Sequence, residues 1–125
     1  MKLAIERAAL RRAGLLVLLG GIVIVSAQRF RDLMRRSHRN HEAALVDLQL
    51  ARQSAAQGQF AAAIAECRRA RSRNPGLAEV HRIFGYACYR LNRYDEARTA
   101  LEQALELNAD DAFAACFLGL ILAER

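Results

Sequence analysis

The sequence has no tryptophan, a single proline (Pro75) and only three cysteines. The cysteines, Cys67, Cys88 and Cys116, are odd in number, and no CxxC pair or Cys/His cluster accompanies them, which argues against a zinc site. Three thiols without an obvious pairing favour a reducing compartment. No Ser/His/Asp set, phosphate-binding loop or pair of converging carboxylates is present, so no enzymatic activity and no cofactor are expected. Glu102 and Glu106 lie four apart and read as solvated acids on a helix. His38 and His41 lie three apart but lack a third ligand, so they read as solvated rather than metal-binding.

Charge is present but unevenly placed. The chain of 125 residues has a net charge of +6. Residues 1–40 hold nine Lys/Arg against Glu6 and Asp32, or +7; residues 41–125 hold ten Arg against eleven acids, or −1. A nucleic-acid-binding domain carries its basic patch on the folded surface, often beside aromatic platforms. Here the positive residues flank an apolar run instead, and no nucleic-acid partner is expected.

That run is residues 13–27, AGLLVLLGGIVIVSA, without a charge. It rises about 22 Å as a helix, short of the roughly 30 Å of a hydrocarbon core, and snorkelling of Arg11, Arg12, Arg29 and Arg31 would have to supply the rest. The reading adopted is a single transmembrane helix with basic flanks over residues 1–40, in contact with lipid through residues 13–27 and the neighbouring arginines. A cleaved signal peptide ending at Val25-Ser26-Ala27, which would release a soluble exported protein, and a buried helix of a soluble protein remain as alternatives. The arginines on the two flanks are nearly balanced, so the membrane side of the remainder is open. Residues 28–42 contain no Gly or Pro and can either prolong this helix or start another.

From residue 44 onward the chain repeats with a period of 34: residues 44–77 lie over 78–111 without a gap. Ala63 and Ala70 fall on Ala97 and Ala104, Phe60 on Tyr94, and Leu50-Ala51 on Phe84-Gly85. A fixed period of this length marks stacked helical hairpins. Helices are expected over 43–56, 60–73, 78–90 and 94–107, broken at Gly58, at Asn74-Pro75-Gly76 and at 108–111. A third unit starts at Ala112, with Leu118-Gly119 matching Phe84-Gly85 and Asp110 or Asp111 placed to cap it.

These residues resemble the tetratricopeptide repeat family, built from 34-residue antiparallel helix pairs. Phe84-Gly85, Tyr94, Ala97, Leu101 and Ala104 carry the resemblance in the second unit. Leu50-Ala51, Phe60, Ala63, Ala70 and Pro75 carry it in the first. Asp47 and His81 depart from it, standing where an early aromatic is usual, and Ala109 replaces the closing Pro. The resemblance implies an all-α fold of about two and a half repeats over 41–125, the last being partial at 112–125. It also implies a groove lined by the first helices. Carried over by position, the lining is Leu45, Leu48, Arg52, Glu79, Arg82, Tyr86, Tyr89 and Arg90, suited to an extended acidic or aromatic peptide. The Lys/Asn clamp that some members use for a C-terminal carboxylate is absent.

Residues 112–123, AFAACFLGLILA, carry no charge. A terminal repeat helix ordinarily has a polar outer face. Phe113, Phe117, Leu120 and Ile121 are therefore expected to form a docking face for a partner subunit, a second copy or a bilayer surface. Together these readings describe a membrane-anchored protein-interaction module, an assembly factor, scaffold or accessory subunit of a membrane complex. The Ala/Arg-rich composition points to a single-pass protein of a bacterial inner membrane.

Overall fold

The computed structural model describes residues 2–124; among the first seventeen, side chains are described only for residues 2, 4, 6, 7 and 11. Five helices make up the described residues: α1 (Lys2–Ala56), α2 (Phe60–Arg73), α3 (Ala78–Arg90), α4 (Tyr94–Leu107) and α5 (Ala112–Ala123). The chain divides into two compact units, Met1–His38 and Arg39–Arg125. In the first unit, α1 is exposed from residue 18 onward. In the second, the end of α1 and the four later helices pack in sequence, α2 on α3, α3 on α4 and α4 on α5.

The first unit corrects an expectation. Among the described residues no helix is long and apolar enough to cross a membrane, so the transmembrane helix expected at 13–27 is not supported. Fifteen uncharged residues fall short of a hydrocarbon core, and α1 runs on from them without a break through Arg29, Arg31, Arg35, Arg36 and Arg39. A longer window therefore takes in charge. Residues 12–17, where part of that expectation falls, lie outside the residues whose side chains are described. Of the two routes open to residues 28–42, the chain takes prolongation.

In the second unit the period is written into every boundary. α2 and α4 begin 34 residues apart at Phe60 and Tyr94, as do α3 and α5 at Ala78 and Ala112. Turn chemistry repeats as well. Gly58 (φ 77°) and Asn92 (φ 60°) hold the left-handed position that ends α1 and α3. Glycine reaches it without a Cβ penalty, and asparagine is the side chain that tolerates it best. Each is followed by the hydrogen bond of a Schellman motif, from the Gln59 N–H to the Ser54 carbonyl (2.8 Å) and from the Arg93 N–H to the Cys88 carbonyl (2.9 Å). α2 and α4 end on Asn74 and Asn108, both extended. Their Oδ1 atoms accept the N–H of Gly76 (3.0 Å) and Asp110 (3.2 Å). Asp111 caps α5, its Oδ1 accepting the Ala114 N–H at 3.1 Å.

The core is built of small and medium side chains. Ala63, Ile64, Cys67 and Ala70 of α2, Val80, Ile83, Phe84, Ala87 and Cys88 of α3, and Ala97, Ala100, Leu101 and Ala104 of α4 are buried, joined by Ala114 and Ile121 of α5. The tightest contact is at Gly85. A Cβ there would lie 2.7 Å from Leu101 Cγ, 2.8 Å from Leu101 Cδ2 and 3.3 Å from the Ala97 carbonyl oxygen. Leu101 is fully buried, so it has little room to yield.

Gly85→Ala should therefore destabilise the protein although alanine is the better helix former. Overpacking costs about 1–3 kcal/mol, and the propensity gain of about 1 kcal/mol offsets part of it. The urea midpoint should fall at unchanged slope; a rise would show that α3 and α4 part without cost. At the turn, Asn92→Val should cost about 1–2 kcal/mol, whereas Asn92→Gly should keep the wild-type midpoint or raise it.

Candidate partner-binding face

Of the residues expected to line a groove, Arg52 of α1 and Glu79, Arg82, Tyr86, Tyr89 and Arg90 of α3 come together on one face of the second unit, which α5 borders. Arg52 of α1 makes a two-pronged ion pair with Glu79 of α3, its Nε donating to Oε1 at 2.5 Å and its second nitrogen reaching Oε2. Arg82 contacts Glu79 at 3.2 Å and Asp111 at 3.7 Å, and lies over the Phe113 ring at 5.6 Å. Arg90 donates to the Tyr86 hydroxyl at 3.0 Å and stacks over the Phe60 ring at 4.9 Å. The helical spacing of residues 79, 82, 86, 89 and 90 is what aligns them on one face of α3. Of the other two expected lining residues, Leu45 is exposed and Leu48 is buried in the core.

Residues of the expected groove and of the expected docking face are in contact. Tyr86 packs edge-on against Phe113 (5.6 Å between centroids) and Phe117 (5.2 Å), and Tyr89 packs against Phe117 (5.2 Å). Phe113 and Phe117 lie 4.6 Å apart. Such edge-to-face pairs contribute about 0.5–1.5 kcal/mol each beyond area burial, so α3 and α5 are joined by a continuous aromatic cluster. Phe113 nevertheless remains 41% exposed. Leu120 is exposed on α5, whereas Ile121 is 1% exposed and belongs to the core. They are consecutive residues, about 100° apart around the axis, which is why an apolar run alone did not distinguish them.

Electrostatically the face is largely self-matched. The Arg52 guanidinium, by its hydrogen bonds to Glu79, holds the Glu79 carboxyl below its usual value, with Arg82 adding to the effect. Two of the three arginines thus already have carboxylate neighbours, and Arg90 is engaged by a hydroxyl and two rings. A second cleft of about 370 Å³ lies between α2 and α4, with Phe84 beneath Arg68 and Arg71 and with Asp95, Glu96, Thr99 and Gln103 opposite. Its walls carry both signs of charge, and Arg68 and Glu96 are 4.0 Å apart.

Sequence reasoning missed the buried polar residues. Asp47, 6% exposed, receives Arg73 at 3.1 Å and Arg69 at 3.6 Å. Its repeat counterpart His81, 5% exposed, bonds through Nε2 to the Pro75 carbonyl at 2.9 Å. The signal was available: both stand at the position where the family resemblance places an aromatic, and both are inside. His41, read as solvated, has Nδ1 2.8 Å from the Asn74 side-chain amide. Among the thiols, burial pushes Cys67 up to about 12 and raises Cys88 as well, whereas Cys116 is exposed.

At pH 8, a disulfide reagent should therefore label Cys116 alone in the native chain and all three thiols after denaturation; rapid native labelling of Cys67 or Cys88 would contradict their burial. The Glu79 pair has a pH signature. Its folded-state value lies below the unfolded one, so its contribution is complete above an unfolded carboxyl value of about 4.3 and is lost as pH falls through the folded value. The stability gap between wild type and Glu79→Gln should be widest near neutrality and should close on acidification. A gap unchanged down to about pH 3 would show that the pair contributes nothing.

Residues 54–115 match the tetratricopeptide repeat model. No curated protein matches the chain. Among solved structures, the chain is similar to the first TPR domain of the human RPAP3 protein, with a TM-score of 0.63 and 23% identity over 65% of this chain and 64% of that one. The chain thus spans a little under two thirds of that relative's length. The first TPR of Spaghetti (RPAP3), bound to the HSP90 peptide SRMEEVD, aligns with a TM-score of 0.47 and 19% identity over 67% of this chain and 94% of that one. With the register, the Gly85 contact and the paired turns in place, the helical hairpins of residues 54–115 match the tetratricopeptide repeat both in sequence and in fold.

Proposed function

We propose that this chain is a protein-interaction module that holds a peptide segment of its partner on the face formed by α1, α3 and α5. The observation that carries this reading is the aromatic cluster of Tyr86, Tyr89, Phe113 and Phe117, which joins two helices and still leaves Phe113 substantially open. Rigid aromatic side chains flanked by arginine are the groups that carry most binding energy at protein interfaces. The ligand we favour presents an aromatic or large aliphatic side chain to Phe113 and Phe117 and a single carboxylate to Arg90. A strongly acidic peptide fits less well, because Arg52 and Arg82 are already matched by Glu79 and Asp111. A scaffolding or assembly role in a protein complex follows from such binding, and no catalytic role is proposed.

Selection of short random peptides on the purified chain tests this. The selected peptides should be rich in aromatic residues and carry one acid. Tyr86→Ala or Phe117→Ser should weaken them by roughly tenfold or more, the size expected of an interface anchor. Arg98→Glu, in an outward pair with Glu102, should leave them unchanged. Peptides that bind Tyr86→Ala as tightly as wild type would remove this face from the account.

A further inference from the structure

We infer that Glu79 sets the ligand selectivity of the aromatic face: its carboxylate occupies the subsite that a second acid of a ligand would take, and so turns away strongly acidic peptides. This rests on the reading that the face holds a peptide. Glu79 stands between two arginines from different helices. Its Oε1 accepts Nε of Arg52 at 2.5 Å and lies 3.2 Å from a terminal nitrogen of Arg82, while its Oε2 accepts a terminal nitrogen of Arg52. Arg52 also donates to the Gln49 side chain at 3.2 Å, and Arg82 reaches Asp111 at 3.7 Å. A guanidinium fork recognises a planar carboxylate through paired hydrogen bonds. Here one carboxylate of the chain itself engages two forks. The side chains of Arg52, Arg82 and Glu79 are 47%, 33% and 29% exposed, so a ligand can reach the place where they meet. Arg82 also lies over the Phe113 ring at 5.6 Å, which makes this subsite continuous with the aromatic cluster.

The repeat itself does not call for an acid at this position. One period before and after Glu79 stand Leu45 and Phe113, 43% and 41% exposed. The arginines have no counterparts either: Arg52 falls on Tyr86 and Leu120, and Arg82 on Leu48 and Cys116. The two guanidiniums and the carboxylate that joins them therefore belong to this face and not to the stacking of the hairpins. Selectivity is a difference of affinities, and it can be obtained by making the wrong ligand bind badly. A peptide with several acids has to expel Glu79 or lie beside it with like charge, which costs affinity. A peptide with one acid meets Arg90 and leaves Glu79 in place. Without Glu79, Arg52 keeps only the Gln49 amide among its described partners and Arg82 keeps Asp111 at 3.7 Å, so positive charge is left uncancelled where the carboxylate now lies.

The probe is an acetylated, amidated triaspartate peptide, titrated at low ionic strength into the 125-residue chain and followed through the arginine Nε–H signals in NMR spectra. Glu79→Gln should bind it about tenfold more tightly than wild type or better, with the Arg52 signal moving as the site fills. Glu79→Leu, which installs the residue of the preceding repeat, should do the same, and circular dichroism reports whether each variant keeps the fold. Glu102→Gln removes one acid from an ion pair with Arg98 on α4 and should leave binding at the wild-type level, which controls for net charge. Arg52→Met added to Glu79→Gln should abolish the gain. Random-peptide selection on Glu79→Gln should return sequences with more acids than selection on wild type. Equal triaspartate binding by wild type and the folded Glu79 variants would overturn the inference, as would an equal gain in Glu102→Gln. Triaspartate has no aromatic group, so the two readings fail separately. Aromatic one-acid peptides that bind without any triaspartate gain in Glu79→Gln remove the role of Glu79 alone. A triaspartate gain without binding of aromatic peptides removes the aromatic anchor and with it the selectivity assigned to Glu79.

Discussion

Two helices can approach closely only where one of them gives up a side chain. In this protein that place is Gly85, with Leu101 and the Ala97 carbonyl filling the space its Cβ would take. The remaining packing of the hairpin follows from it. Ala97 and Ala104 must be small for α4 to lie flat along α3, and Leu101 must be large to fill the notch between them. The core is consequently built from alanines and a few larger residues, not from a cluster of aromatics. Phe84 is the aromatic residue of that core, whereas Tyr86, Tyr89, Phe113 and Phe117 sit along one edge of α3 and α5.

The same constraint explains how much of this fold could be read from the sequence. Small residues that recur at a fixed period carry the helix and turn boundaries with them, so the boundaries of α2 to α5 fall where the repeats place them. Gly58 and Asn92, both chosen for the left-handed turn, and Asp111, a cap three residues from the N–H it accepts, are visible as residue types before any coordinate is known. What could not be read depends on which way a helix faces. Asp47, Arg69 and Arg73 look like ordinary surface charges in the sequence, and only the packing of α1 against α2 buries the carboxylate between them. Ile121 and Leu120 are equivalent as letters in an uncharged run, yet one belongs to the core and the other to the surface. The apolar stretch of α1 was legible as apolar, but its reading as a span rested on a length it does not have.

Position within the stack matters as much as residue type. Leu50, Phe84 and Leu118 occupy one repeat position, and they are 41% exposed, 7% exposed and half-buried in turn. Phe84 is covered because it has a second helix on each side, with Arg68 and Arg71 of α2 over its ring and α4 against its other flank. Leu50 and Leu118 each lack one such neighbour among the described residues. A repeat sequence states which residues are capable of being buried; the number of neighbouring repeats decides which of them are.

Charge also bears on the ligand proposed for this face. Three arginines on one face suggest an anionic ligand when counted, but the geometry divides them. Glu79 accepts from Arg52 and contacts Arg82, and Asp111 takes the far side of Arg82. An incoming carboxylate at either arginine would have to displace an acid already held by charge-assisted hydrogen bonds and would gain little by the exchange. Arg90 is different, because a hydroxyl and the faces of Phe60 and Tyr86 leave its positive charge uncancelled. In the binding mode proposed above, a ligand that pairs there and lays an apolar group against Phe113 would add a contact at both ends and break none, so the aromatic component would set affinity and the single arginine register.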